Sequence, residues 1–198
     1  MVVARVPSLT LVLGGHQDLS VLGPRVARDG VALRRRRGGG GLVALRPGDL
    51  WVDWWLPSSD SRWSPDVGVS SRLVGGWWRA VLAERVAGDV REHGGRLEVD
   101  PALGVMCFAG RGPGEVFVDG RKAVGVTQWR VREGTFLSTV VHAHETRDVL
   151  RYLRYVPPGL EEALNHQTLV SLALDATDVL AALGEASGGF DVHHYAVV

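Results

Sequence analysis

The chain predicts an α+β fold, a mainly antiparallel or mixed β-sheet flanked by α-helices. Three observations carry that prediction. Short β-branched and aromatic runs punctuated by glycine and proline outnumber the stretches of helical period. Asp119-Gly120 between two apolar runs is the strongest hairpin signal in the sequence. The 198 residues contain no repeat, so one domain covering 1–198 with no separate accessory domain is expected.

Taken in order, residues 8–13 form a leucine and β-branched run closed by Gly14-Gly15, a strand. Residues 31–37 lead into four glycines, 38–41, and then into an apolar run at 42–45, giving strand, glycine turn, strand. Pro47-Gly48-Asp49 is a turn, and 50–56 is a tryptophan-rich strand ended by Pro57. From 66 to about 89 the period changes. Leu73, Val74, Trp77, Trp78, Val81 and Leu82 recur at helical spacing, with Gly75-Gly76 a local weakness. Strands are expected near 96–99 and 104–108, a hairpin at 115–118 and 121–124, and a further strand pair at 127–131 and 135–141. A short helix at 146–154 stops before Pro157-Pro158-Gly159. A last helix covers 177–186, with Val179, Leu180 and Leu183 facing inward.

The composition excludes several function classes. Formal net charge is zero, so no global field attracts nucleic acid or an anionic membrane. One cysteine cannot make an internal disulfide, which suits a reducing compartment. The N-terminal segment has no signal-peptide pattern, and no apolar run approaches the roughly eighteen residues a membrane span needs. The expectation is a cytoplasmic protein that binds neither nucleic acid nor membrane.

Candidate chemistry gathers in two segments. The chain has a single lysine, Lys122, its other 21 cationic side chains being arginine. A lysine is a compact point charge suited to gripping a phosphate or carbonyl oxygen. A two-residue turn at Asp119-Gly120 pairs Phe117 with Lys122, and strand alternation brings Glu115 diagonally within reach of the ammonium. The plain alternative is an exposed hairpin with one weak ion pair. The second segment, Arg34 to Arg37 followed by Gly38 to Gly41, pairs guanidinium forks with a backbone that a ligand can approach closely. By pattern alone it is an anion site, a solvated basic turn or a nucleic-acid contact. No Lys-Ser or Lys-Thr follows the glycines and no helix opens after them, so neither a Walker motif nor a dinucleotide fingerprint is present. Cys107 lies in an apolar run and by itself reads as a small buried hydrophobe. The pairs His142/His144 and His193/His194 lack companions at zinc-ligand spacing, so no metal site is expected. Trp51, Trp54 and Trp55 are core residues or the wall of an apolar ligand tunnel.

The run Arg35-Arg36-Arg37-Gly38-Gly39-Gly40-Gly41-Leu42-Val43-Ala44-Leu45-Arg46-Pro47-Gly48-Asp49-Leu50 resembles the first signature of the lipoate–protein ligase A family, part of the biotin/lipoate ligase-like catalytic domains. Gly112-Pro113-Gly114-Glu115 with Asp119-Gly120-Arg121-Lys122-Ala123-Val124-Gly125-Val126-Thr127-Gln128 resembles the second. The resemblance implies that lipoate, or a related medium-chain acid, is activated by ATP with Mg2+ to an acyl-adenylate. It further implies transfer to a lysine of a lipoyl-domain protein, such as the E2 subunits of 2-oxoacid dehydrogenases or the glycine cleavage H protein. Lys122 would contact phosphate and carbonyl oxygens. Arg35 or Arg36 would neutralise phosphate, and Gly39, Gly40 and Gly41 would admit the acyl-adenylate. Gly125 would keep the strand clear of ligand, with Asp49 and Glu115 completing the set.

Three departures stand out: Leu45 where the family has histidine, Gly38 where it has serine or threonine, and Asp49 where it has asparagine. A second reading comes from octanoyltransferases close to the ligases, which carry a Cys-Phe dipeptide upstream of the lysine with the spacing of Cys107-Phe108 to Lys122. In that reading acyl carrier protein donates octanoate to a Cys107 thioester without ATP. A third is a family member that binds an acyl ligand or a partner without turnover. Replacing Lys122 by Ala is expected to abolish either reaction while leaving the fold intact.

Overall fold

The computed structural model describes residues 1–165, 174–190 and 193–196. Among the described residues are ten strands and four α-helices. They are β1 (Val2–Arg5), β2 (Thr10–Leu13), α1 (Arg25–Arg28), β3 (Ala32–Arg35), β4 (Val43–Leu45), β5 (Leu50–Pro57), α2 (Val67–Ala83), β6 (Val90–Glu92), β7 (Val116–Val118), β8 (Arg121–Val131), β9 (Gly134–Val141), α3 (Leu160–Asn165), α4 (Ala176–Ala186) and β10 (His193–Ala196). Seven strands form one sheet in the order β10-β1-β5-β9-β8-β7-β6, and three form a second in the order β3-β2-β4. Pairing is antiparallel except for β1 with β10 and β2 with β3. This is the α+β architecture expected.

Period-two alternation divides the large sheet into two faces. Val52, Trp54 and Leu56 of β5 and Leu137 and Val141 of β9 pack against Val74, Trp78, Val81 and Leu82 of α2 and Val179, Leu180 and Leu183 of α4. The polar groups in this layer are matched. The Thr139 hydroxyl accepts from the indoles of Trp78 at 2.9 Å and Trp54 at 3.3 Å. On the other face the small sheet closes a second core, in which Leu11, Leu13 and Leu45 join Trp51, Met106, Phe108 and Val140. The large sheet is therefore the middle of three layers, and the space between the two sheets is where a ligand can enter.

Helix α2 shows how the sequence sets that geometry. Asp66 caps its N-terminus by accepting from the Val69 amide at 2.8 Å. The buried stripe then runs through Val74, Trp78, Val81 and Leu82, and the helix ends at Ala83, short of the 89 expected. Gly75, a helix-weakening residue costing about 1 kcal/mol relative to alanine, touches the loop at Gly114. A Cβ on Gly75 would stand 2.0 Å from the Gly114 carbonyl oxygen, and one on Gly114 would stand 2.1 Å from the Ser71 carbonyl oxygen. Helix and loop thus meet backbone to backbone, one residue before Glu115.

Several sequence expectations change. Residues 96–99 form no strand, only a bridge between Glu98 and Arg111, because Gly94, Gly95 and Pro101 interrupt regular pairing. Residues 104–108 contribute a bridge from Met106 to Leu42 and then a 3₁₀ turn, Cys107–Ala109. The segments 121–124 and 127–131 are one continuous strand, β8, which pairs with β7 at its start and with β9 from Gly125 onward. The strands on either side of the glycine turn do not pair with each other; they flank β2. Strands β1, β6 and β10 and helices α1 and α3 have no counterpart among the elements expected from the sequence.

Gly75→Ala is expected to destabilise the protein by about 1–3 kcal/mol despite alanine's better helix propensity, because a backbone clash cannot be relieved by a rotamer change. The urea midpoint measures it; a midpoint at or above wild type would contradict the close contact.

Candidate active site

The hairpin between β7 and β8 turns through Asp119 (φ 49°) and Gly120 (φ 76°), the left-handed pair that a tight antiparallel turn requires. Val118 pairs with Arg121 and Phe117 with Lys122, as the sequence indicates; the register then shifts so that Val116 faces Val124. The Lys122 ammonium lies 2.7 Å from Glu115 Oε2, with side-chain exposures of 3% and 4%. It donates a second bond, 3.1 Å, to the backbone carbonyl of Cys107 and stands 5.2 Å from the Phe108 ring centroid. Glu115 Oε2 also accepts from the Gly112 amide at 2.6 Å. The hairpin ion pair is therefore buried, not a surface decoration.

The floor of the cleft between the sheets consists of three rows of side chains, because directly paired residues on neighbouring strands share a face. The inner row is Trp51, Val140 and Gly125; the middle row is Asp53, Ser138 and Thr127; the outer row is Trp55, Phe136 and Trp129. The inner row is apolar. In the middle row Asp53 Oδ1 accepts from the Trp51 indole at 2.8 Å and from the Ser138 hydroxyl at 2.5 Å. The outer row is a stack, with Phe136 4.4 Å from Trp55 and 5.3 Å from Trp129.

The arginine–glycine segment forms the roof. Arg37 lies over the Trp129 ring at 4.4 Å, and Thr127 donates to the Gly39 carbonyl at 3.1 Å. Arg35 Nη1 donates to the carbonyls of Gly14, Gly15 and Gln17. Between roof and floor is a cleft of about 820 Å³ lined by Arg34, Arg35, Arg36 and Arg37 above and Trp51, Trp129 and Phe136 below. Asp53 is the acidic side chain among its lining residues. A cleft with four guanidinium groups and an aromatic floor suits a ligand that is anionic at one end and apolar at the other.

A small inner space of about 10 Å³, room for about one water molecule, lies behind it, lined by Arg36, Trp51 and Ser138, which also line the outer cleft, together with Cys107, Gly125, Val43 and Val140. Arg36 is 9% exposed. Its four hydrogen bonds go to backbone carbonyls, two to Gly39, one to Gly41 and one to Val12. Burial lowers the affinity of this guanidinium for its proton, and the neighbouring Cys107 sulfur acts in the opposite direction. A Cβ at Gly40, whose φ is +89°, would sit 2.9 Å from Arg36 Nη2 and 3.4 Å from Cys107 Sγ. At Gly41 a Cβ would come within 2.5 Å of the Gly104 carbonyl oxygen. The glycines are thus filled by protein neighbours as much as they are open to a ligand.

The expected site residues therefore divide. Arg36, Gly39, Gly40, Gly41 and Cys107 come together at the inner end of the cleft, and Lys122 and Glu115 lie directly beneath the Cys107 carbonyl. Gly125 faces the inner cavity, but the Phe108 ring occupies the space a side chain there would fill, its nearest carbon 3.1 Å from where a Cβ would stand. Asp49 is outside the cleft: it is buried, accepts from the amides of Arg46 and Ala143, both at 2.8 Å, and meets His142 Nδ1 at 3.1 Å. Of the three tryptophans considered for a tunnel wall, Trp51 lines both spaces and Trp54 belongs to the helix-side core. Sequence reasoning missed Asp53, Thr127, Trp129, Phe136 and Ser138. Their only signal is strand alternation.

Among the described residues no group of three or more His, Cys, Asp or Glu side chains can hold a metal ion. With Asp53 as the cleft's carboxylate, magnesium would be bound chiefly through the phosphate oxygens of a nucleotide. No helix among the described residues is long and apolar enough to cross a membrane.

This three-layer arrangement is the catalytic fold of the lipoate–protein ligases. No family model matches the chain, and no curated protein matches it in sequence; the likeness lies in structure. A lipoate-protein ligase A bound with ATP superposes with a TM-score of 0.71 at 18% identity, over 96% of this chain and 73% of that one. The bi-partite lipoate protein ligase of Thermoplasma acidophilum, studied with its E2 lipoyl domain, gives 0.70 at 16% identity, over 96% and 72%. Plasmodium falciparum LipL1 in complex with lipoate gives 0.64 at 13% identity, over 97% and 51%.

Burial of the ion pair revises the expectation that Lys122→Ala leaves the fold intact. The variant strands the Glu115 carboxylate and is expected to lose about 3–5 kcal/mol of stability. Adding Glu115→Gln to Lys122→Met should recover a large part of that loss. A double-variant loss equal to the sum of the losses of Lys122→Met and Glu115→Gln in chemical denaturation would rule out coupling between the two side chains.

Proposed function

We propose that this protein attaches lipoate, or a related medium-chain acyl group, to a lysine of a lipoyl-domain protein. The observation that carries the reading is the cleft itself: four arginines over an aromatic floor, leading inward to Arg36 and Cys107, with the buried Lys122 outside the cleft and bonded to the Cys107 carbonyl. An acid with an apolar tail and a nucleotide phosphate are the two chemistries such a cleft accommodates together. In the ATP-dependent form, a carboxylate oxygen of the acid attacks the α-phosphorus and pyrophosphate leaves. The acceptor amine then attacks the acyl carbonyl, loses a proton, and AMP leaves. The arginines neutralise phosphate charge throughout. The Lys122 ammonium already donates to one carbonyl oxygen, that of Cys107; in this proposal an acyl carbonyl takes over that bond as negative charge develops on it. That a fold neighbour was solved with ATP and another with lipoate supports the assignment of both ligands. A cytoplasmic setting, Mg2+ delivered with ATP, and E2 or H-protein acceptors belong to the same proposal.

One observation favours a second reading. Cys107 lines the small inner space beside the buried Arg36 guanidinium, where a sulfur nucleophile is next to the inner end of the cleft. There the sulfur attacks octanoyl carrier protein, the carrier thiol leaves, and the acceptor lysine displaces Cys107 from the resulting thioester.

Intact-mass measurement of a lipoyl domain decides between them. The ligase predicts acyl addition that requires ATP and free acid and survives Cys107→Ser. The transferase predicts addition from octanoyl carrier protein without ATP, abolished by Cys107→Ser. Ligand binding with no addition under either condition would refute both and leave a binding protein.

A further inference from the structure

A buried ion pair, Glu115–Lys122, and a buried hydrogen-bonded pair, Asp49–His142, both adjoin one aromatic ring. Phe108 has the Lys122 ammonium 5.2 Å from its centroid and the His142 ring centroid at 4.6 Å. His142 is tied through Nδ1 to Asp49 Oδ2 at 3.1 Å, with side-chain exposures of 1% and 0%. Asp49, as an acceptor-only carboxylate, fixes Nδ1 as the donating nitrogen, and its own position is fixed by the amides of Arg46 and Ala143. Phe108 in turn fills the space above Gly125 and is the middle residue of the 3₁₀ turn Cys107–Ala109. Asp49 joins the β4–β5 turn and His142 follows β9, so the pair bolts two separate sheet connections to the turn that carries Cys107.

We infer that Asp49 and His142 are positioning residues. They hold Phe108 through the His142 ring contact, so that the Cys107 sulfur stays at the inner space and the Cys107 carbonyl faces Lys122. Neither residue lines the cleft, and neither is required to touch a substrate. Two properties of His142 do the work: its Nδ1–H bond to Asp49 and its ring surface against Phe108. A role confined to satisfying the Asp49 carboxylate needs only the first. The kinetic consequence rests on the acyl-transfer reading above; the geometric one does not.

His142→Asn separates the two properties, since its amide can donate to Asp49 while presenting no ring to Phe108. The test is the rate at which iodoacetamide alkylates Cys107 in the substrate-free protein, followed by intact mass, with the thermal midpoint recorded alongside. The inference expects alkylation at least about tenfold faster than wild type, as a turn released from its support opens locally, while the cooperative unfolding transition is retained. If transfer activity is present, kcat should fall about tenfold to a hundredfold with little change in KM, the signature of misplaced groups and not of lost binding. A folded His142→Asn protein alkylated within about twofold of the wild-type rate would overturn the inference. Should that variant fail to fold, Asp49→Asn takes its place, because it keeps the acceptor for one backbone amide and removes the charge facing Nδ1. An unchanged alkylation rate there overturns the inference equally. Because alkylation is read without substrates, a wild-type protein that transfers no acyl group would refute the proposed function while leaving this result to stand or fall by itself.

Discussion

The Glu115–Lys122 ion pair is the interaction on which the arrangement of the site depends. Two charges at 3% and 4% exposure each cost several kcal/mol to remove from water. They persist as a pair only if their geometry is imposed from outside, and several separate constraints impose it. The left-handed turn at Asp119-Gly120 sets the hairpin register, and the shift at Val116/Phe117 re-aims the strand. Helix α2 presses Gly75 onto Gly114 and so fixes the loop immediately before Glu115. The Gly112 amide takes part of the carboxylate's remaining capacity. What the pair delivers is a donor bond to the Cys107 carbonyl. Packing of a helix on one side of the sheet is thereby connected to the placement of a thiol on the other.

The sequence made part of this legible. The hairpin and the Phe117–Lys122 pairing follow from turn chemistry, and the reach of Glu115 follows from alternation, all within ten residues. The helix stripe of α2 was equally plain because Val74, Trp78, Val81 and Leu82 repeat at helical spacing. What stayed hidden was burial. Nothing local distinguishes an exposed hairpin with a weak ion pair from a hairpin covered by a helix and a 3₁₀ turn. Residues 104–108 have the apolar composition of a strand, yet they lie at an edge where a single bridge to Leu42 is the available pairing. The backbone coils there, and that coil is what brings Cys107 into the cavity.

The floor of the cleft was illegible for a different reason. Trp55, Phe136 and Trp129 form one row only because β5, β9 and β8 are neighbours in a particular register. A shift of one residue in either pairing would send an entire row to the helix side. Asp49 illustrates the same limit: its position next to a turn invites a ligand role, whereas its partner His142 lies 93 residues away.

The preference for arginine in the roof has a structural basis that bears on how the cleft meets an anion. Arg35 spreads one nitrogen over three carbonyls, Arg36 bonds carbonyls of β2 and of the glycine turn, and Arg37 lies flat on an indole. Arg36, with bonds from three nitrogens, and Arg37, over a ring, use the planar, multi-donor shape that an ammonium lacks. Three of the four consecutive arginines therefore build the roof as well as charging it, and the glycines that follow them let carbonyls turn toward the Arg36 guanidinium. Their charge forms a positive field over the aromatic floor. Lysine appears at a buried position beneath the Cys107 turn, where one carboxylate oxygen and one carbonyl oxygen converge on a single nitrogen. A chain that otherwise uses arginine throughout has its one ammonium at the buried position where two oxygen acceptors meet at one point, a task for a compact charge.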